Sequence, residues 1–204
     1  MMLLHIDSSI LGAQSVSRML SGEIVTRESS LHPEIEIIYR DLAADPALHL
    51  SGAHVAAWAG ESVNGAVLCS DIETGQDYVA ELFEADIVVI GAPMYNFSIP
   101  SQLKAWIDRV VVAGLTFKYN ETGELQTLLS PNKKVIIAST RGDVYVPGAP
   151  MAAPDHHESY LRSVFSFLGL QDVTIVRAER LAFGPEVRSA AIKKAQSDIA
   201  TMAD

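Results

Sequence analysis

The sequence predicts an α/β fold: a five-stranded parallel sheet with helices on both faces, a three-layer sandwich. Two observations carry this. Five short apolar runs, several of them continuous rather than alternating, suit strands covered on both faces. Helical patterns lie between them, and right-handed crossovers turn such a β-α alternation into a parallel sheet.

The strand runs are Met2–Ile6, Ile35–Tyr39, Ile87–Ile90, Val135–Ala138 and Val173–Val176. Among the helices, the clearest follows Pro100. There Leu103, Trp106, Ile107, Val110 and Val111 fall at i, i+3, i+4, i+7 and i+8, one apolar stripe. After Pro185, Ile192, Ala195, Ile199 and Met202 repeat the period. Asp155 with Glu158 three residues later resembles a capping box, followed by Leu161, Val164, Phe165 and Leu168. Residues 17–31 and about 67–83 complete the helices. The segment "TFKYNETGELQ" within 114–131 reads as a hairpin turning at Asn120–Gly123. Residues 40–66, which carry Trp58, read as a surface excursion.

Residues 1–204 contain no internal repeat, low-complexity tract or Pro/Gly-rich linker, so one domain is expected. The 15 Lys plus Arg against 25 Asp plus Glu give a net charge of −10, which disfavours nucleic acid and anionic membrane surfaces as partners. One cysteine, Cys69, excludes an intrachain disulfide and the multi-cysteine metal patterns. The start "MMLLHIDSS" lacks a basic n-region, and no apolar run approaches the roughly 18 residues of a membrane span. A cytoplasmic protein is expected. His156 and His157 are adjacent and would face different sides of a helix, so a capped, solvated helix start is expected there and no metal site.

In an open parallel sheet, ligands collect beyond the carboxyl ends of the strands where the strand order reverses. Three loops belong there. "DSSILGAQSVSRML" (7–20) places Ser8, Ser9, Ser15 and Ser17 between a strand and the N-terminus of a helix, an anion site. Neither Ser15 nor Ser17 has Glu or Gln three residues on, so no capping-box side chain competes for the helix N–H groups. G-x-x-x-x-G-K-[ST] and G-x-G-x-x-G are both absent. A terminal monophosphate, held by hydroxyls without a salt bridge, fits better than ATP or a dinucleotide. The second loop, "GAPMYNFSIP", offers Met94, Tyr95 and Phe97 to a planar ring and Asn96 to its polar edge; the same aromatics could instead plug the sheet edge or meet another subunit. The third, "STRGDVYVPG" (139–148), adds the Arg141–Gly142 pair and Tyr145. A phosphate loop with two loops for a flat heterocycle is the plan of a flavin mononucleotide (FMN) site.

"SSILGAQSVS", "GAPMYNFSIPSQLKAWIDRVVVAGLTFKY", "STRGDVY" and "AERLAFGPE" together resemble the FMN-dependent NADH-azoreductase, or NADH:quinone oxidoreductase, family of flavodoxin-like fold. The likeness runs along essentially the whole chain. It implies a homodimer with one FMN at each of two interfacial sites. Ser9, Ser15, Val16 and Ser17 would hold the phosphate. Met94, Tyr95, Asn96 and Phe97 would line the isoalloxazine, and Thr140, Arg141, Gly142 and Asp143 would reach its pyrimidine side, where Arg141 or amides would balance charge. The family commonly has S-R-G-G in that loop; T-R-G-D here replaces a glycine's backbone freedom with the Asp143 carboxylate.

The flavin would carry the hard chemistry and no catalytic side-chain dyad is expected. NADH or NADPH would donate a hydride, and a quinone or azo compound would take two electrons in a ping-pong exchange. Trp58, Phe117, Tyr119 and Tyr145 are candidates for an aromatic roof over the acceptor pocket, from this chain or from a partner subunit, with core or interface packing the plainer role. An electron carrier that passes single electrons to protein partners is the alternative.

Overall fold

The structure, a computed structural model, describes residues 1–145, 148–150 and 155–202. In chain order the elements are β1 Met2–Asp7, α1 Val16–Leu31, β2 Glu36–Asp41, α2 Gly52–Trp58, α3 Ala66–Glu84, β3 Ile87–Pro93, α4 Ser101–Val110, β4 Phe117–Tyr119, β5 Leu125–Thr127, β6 Lys134–Thr140, α5 Glu158–Phe167, β7 Val173–Ala178 and α6 Pro185–Ala200. The main sheet runs β2-β1-β3-β6-β7, every pairing parallel. The order reverses between β1 and β3, so their carboxyl ends flank the crevice where a ligand is expected.

Alternation along the strands fills two cores. Leu4, Ile6, Val88, Ile90, Val135 and Ile137 face one side, against Leu82, Leu103, Trp106 and Phe165. Leu3, Ile87, Val89, Ile136 and Ala138 face the other, against Leu20, Ile24, Ala195 and Ile199. β3 and β6 lie between other strands and are buried almost throughout, which their continuous apolar runs express. β2 is an edge strand, and its Ile37 and Tyr39 are about half exposed.

Residues 40–66 contain a helix where the sequence suggested only an excursion. The buried residue of α2 is the polar His54, while its Val55 and Trp58 are exposed, so polar contacts rather than a buried apolar stripe hold it. His54 Nε2 lies 2.9 Å from Asp71 on α3, whose Oδ2 also accepts from Arg109 on α4 at 2.8 Å; Arg109 donates on to the Leu48 carbonyl at 2.8 Å. Burial pushes the Asp71 carboxyl up, but the Leu48 N–H, Arg109 and His54 together bring it below its ordinary value. The partners of His54 lie 17 and 55 residues downstream.

The expected solvated start of α5 is also corrected. Asp155 does cap it, accepting from the N–H groups of His157 (3.0 Å) and Glu158 (3.3 Å). Yet His157 and Glu158 are both buried. Glu158 does not reach back to close a capping box; it pairs with Arg141 and, at 2.8 Å, with Arg177. Two arginines that arrive from β6 and β7 draw the carboxylate inward.

β1 and β3 pair in a register that sets Asp7 opposite Gly91. A Cβ at Gly91 would stand 2.3 Å from Asp7 Oδ1 and 3.3 Å from the Ser17 carbonyl oxygen. Gly91→Ala is therefore expected to destabilise the protein by about 1–3 kcal/mol, read as a lower urea midpoint, because neither strand nor α1 can retreat without opening the core.

Candidate cofactor site at the carboxyl edge of the sheet

After β1, residues 8–15 pass through a single 3-10 turn, Gly12–Gln14, before α1 begins. Ser15 caps that helix, its Oγ accepting from the Arg18 N–H at 3.3 Å, and shares a 3.0 Å hydrogen bond with Ser17 Oγ. So the ordinary N-cap role of Ser15 is present. It consumes one N–H, while the Val16 and Ser17 amides at the helix tip keep the unfilled donors that every helix start presents. Ser9 Oγ lies 3.1 Å from Tyr95 Oη, which ties the first loop to the second.

Arg18, which no motif in the sequence singles out, fixes the first loop. Its guanidinium grips Asp41 at 2.6 and 2.7 Å and donates to the Ser9 carbonyl at 2.8 and 3.2 Å. The Asp41 carboxyl is held below its ordinary value, chiefly by that hydrogen-bonded guanidinium. Arg18 is committed to the protein.

The second loop turns tightly. Tyr95 and Ser98 exchange both backbone hydrogen bonds, 2.9 and 3.0 Å, around Asn96 and Phe97 at φ of 47° and 70°. Two positive φ values make this the mirror-image hairpin turn, which suits Asn and strains Phe by roughly 1–3 kcal/mol. The His156 N–H bonds the Phe97 carbonyl at 3.0 Å, and Phe97 meets Tyr145 edge-on with centroids 6.4 Å apart. The Met94 N–H bonds the Thr140 carbonyl at 2.8 Å, joining this loop to the third.

In the third loop the Arg141 guanidinium turns into the protein. It pairs with Glu158, lies 3.4 Å from Asp155 and 3.7 Å from Glu179, and sits over the Tyr145 ring. Any electrostatic part that Arg141 plays toward a ligand therefore acts through a charge already balanced by carboxylates. Asp143 has no positive φ, and its Oδ1 accepts from the Val144 N–H at 2.8 Å; the change from glycine strains no backbone and the carboxylate closes its own turn. Val146 and Pro147 of this loop lie outside the described residues.

Two clefts meet along Met94 and Tyr95. The narrower, about 240 Å³, is walled by Ser9, Ser15 and Val16 on one side and Thr140, Arg141 and Gly142 on the other. The wider, about 600 Å³, adds Asn96, Ile10, Ile99 and Gln102. Ser17, Phe97 and Asp143 are not among the wall residues of either. Leu11, Gln14, Leu181, Ala182 and Arg188 also line the narrow cleft, and no sequence expectation placed them there. Leu181 and Ala182 fall in the "AERLAFGPE" segment that carries part of the family likeness, which was the available signal; Arg188 lies two residues beyond it in α6, outside every quoted motif. The donor set fits the phosphate end of FMN, with buried hydroxyls and open helix-tip amides, and the apolar Met94, Tyr95 and Ile99 fit a ring.

The four roof candidates divide. Tyr145 is buried beside Phe97. Trp58 lines a separate 400 Å³ cavity with Ala113–Leu115. Phe117 packs on Phe167 at 4.8 Å, at the end of α5, and Tyr119 on Phe117. α4 leads away from the carboxyl edge, and β6 restarts at the amino edge with Lys134 opposite Ile87, so β4–β5 lies across the sheet from the clefts. One chain does not bring Trp58, Phe117 and Tyr119 to them.

Beneath the third loop, the buried imidazole of His157 is pushed down to about 4, first by burial and next by the Arg141 cation. Its folded value lies below its unfolded one, so the unfolded chain takes up the proton first. Stability is full above about pH 6.5 and falls as pH drops toward 4. Between pH 7 and 4.5, His157→Gln should lose about 2–3 kcal/mol less than the parent chain in urea unfolding.

The chain is similar to known proteins along its length. The flavodoxin-like fold family matches residues 1–202. An FMN-dependent NADH:quinone oxidoreductase of Rhizobium meliloti is 51% identical over 98% of this chain and 96% of its own, and one of a Bradyrhizobium species is 49% identical over the full length of both. Among solved structures, an FMN-dependent NADH-azoreductase from Bacillus anthracis in complex with FMN superimposes with a TM-score of 0.84 at 25% identity, covering both chains completely.

Proposed function

The chain belongs to the flavodoxin-like fold family together with these NADH:quinone oxidoreductases, and on that premise we propose that it is an FMN-dependent reductase of quinones and azo compounds. The observation that carries the reading is the joined pair of clefts: the Ser9 and Ser15 hydroxyls and the α1 tip at one end, Met94 and Tyr95 at the junction, and a mixed surface of Ile10, Ile99, Asn96 and Gln102 beyond. Bound FMN would supply the hydride and two-electron chemistry, with the overall balance quinone, NADH and a proton to hydroquinone and NAD⁺.

The protein's share is placement. Ser9, Ser15 and the Val16 and Ser17 amides hold the phosphate, while Met94, Tyr95 and Asn96 orient the ring. The open cleft leaves space for donor and acceptor to use one face in turn, a ping-pong order. Backbone groups of Thr140–Gly142, rather than the committed Arg141 guanidinium, meet the ring's polar edge.

A homodimer completes the pocket in this reading. Tyr119, Leu115, Leu125 and Trp58 are exposed apolar groups, 59%, 46%, 40% and 39% accessible. They lie off the clefts of their own chain and are free to roof those of a second copy. Among the described residues no helix is long and apolar enough to cross a membrane. A cytoplasmic location, where NADH is plentiful, suits the activity.

Purified protein loaded with FMN should be yellow, bleach anaerobically on NADH addition without any other protein, and regain colour with a quinone. A flavin that bleaches only when a separate reductase is added would make the chain an electron carrier instead. Sedimentation should give twice the chain mass, and Tyr119→Ala should raise KM for a quinone about tenfold with little change in FMN content, about one aromatic contact's worth. A monomer with full activity would remove the shared-pocket part.

A further inference from the structure

We infer that Arg188 is the cation that recognises the doubly charged phosphate of the bound flavin and so selects FMN over riboflavin; this rests on the FMN reading above. Three arginines line or brace the narrow cleft. Arg18 is spent on Asp41 and the Ser9 carbonyl, and Arg141 on Glu158, Asp155 and Glu179. Arg188 lines the same cleft as Ser9, Gln14, Ser15 and Val16, and its guanidinium has no carboxylate or hydrogen-bond partner among the described residues.

Its position on the helix is the second argument. Arg188 is the fourth residue of α6, and its N–H bonds the Gly184 carbonyl at 3.0 Å. A cation so close to a helix N-terminus has the unfavourable sign for the helix dipole, and Glu186 beside it is the favourable one. α1 and α6 share one face of the sheet, through Leu20, Ile24, Ala195 and Ile199, and both start at its carboxyl edge. Two positive helix ends and an unpaired guanidinium therefore converge on one cleft of a protein whose net charge is −10. A dianion there relieves all three. The serine loop alone supplies dipoles and hydroxyls, which a riboflavin hydroxymethyl group could also satisfy; a fixed charge distinguishes the phosphate.

The test uses the full chain, titrated with FMN and, separately, with riboflavin, following the quenching of flavin fluorescence. Arg188→Gln should weaken FMN binding by about tenfold and leave riboflavin binding within about twofold, and the salt dependence of FMN binding should flatten. Arg188→Lys should fall between. Arg188 is on a partly exposed helical surface, and unchanged circular dichroism and thermal midpoint show that the variants fold. If the parent chain binds FMN and Arg188→Gln binds it equally well, the inference fails while the flavoenzyme reading stands. It fails in the same way if the variant changes only KM for NADPH, since Arg188 would then serve the nucleotide donor. A parent chain that binds no FMN overturns both.

Discussion

The grip of the Arg18 guanidinium on Asp41 and on the Ser9 carbonyl is the constraint from which the site follows. A short loop of serines and small apolar residues between β1 and α1 has little of its own to hold it. Arg18, in the first turn of α1, reaches sideways to the end of β2 and back to the loop carbonyl. The two charges are largely withdrawn from water and satisfy one another bidentately, a geometry in which the pair orients more than it stabilises. With the loop fixed, Ser9, Ser15 and Val16 stand along one wall of the narrow cleft.

The third loop is anchored by the same means. Arg141 is drawn under the sheet edge by Glu158, and Arg177 closes on the other side of that carboxylate. Burial pushes the Glu158 carboxyl up, but the hydrogen bonds and charge of the two arginines bring it below its ordinary value. An acidic chain thus uses its buried cations as internal fasteners at the two flanks of the crevice. The middle loop needs no such fastener. It carries its own two-residue turn, pinned by Ser9 on one side and Thr140 on the other.

The consequence for chemistry is a rigid frame with a tolerant face. Hydroxyls and amides are placed from three different crossovers, while Met94, Tyr95 and Ile99 offer polarisable and apolar surface with few directional demands. Such a surface orients a flat ring without selecting strongly among flat acceptors. Trp58, Phe117 and Tyr119 are separated from this frame and lie off its clefts, Phe117 and Tyr119 in the hairpin toward the amino edge of the sheet.

Much of this was legible in the residues. The alternation of apolar runs and helical stripes determined the fold class and the three loops, because strand and helix periods are local properties of the chain. The serine loop and the Met94–Phe97 segment were visible for the same reason: their composition is wrong for a plain turn. What only the tertiary structure decided were the long-range polar choices. Whether Arg141 faces a ligand or Glu158, whether α2 forms on the strength of Asp71 and Arg109, and whether His157 meets water or the sheet all depend on partners many residues distant. A charge is satisfied by whichever opposite charge the fold brings near it, and sequence spacing carries no record of that.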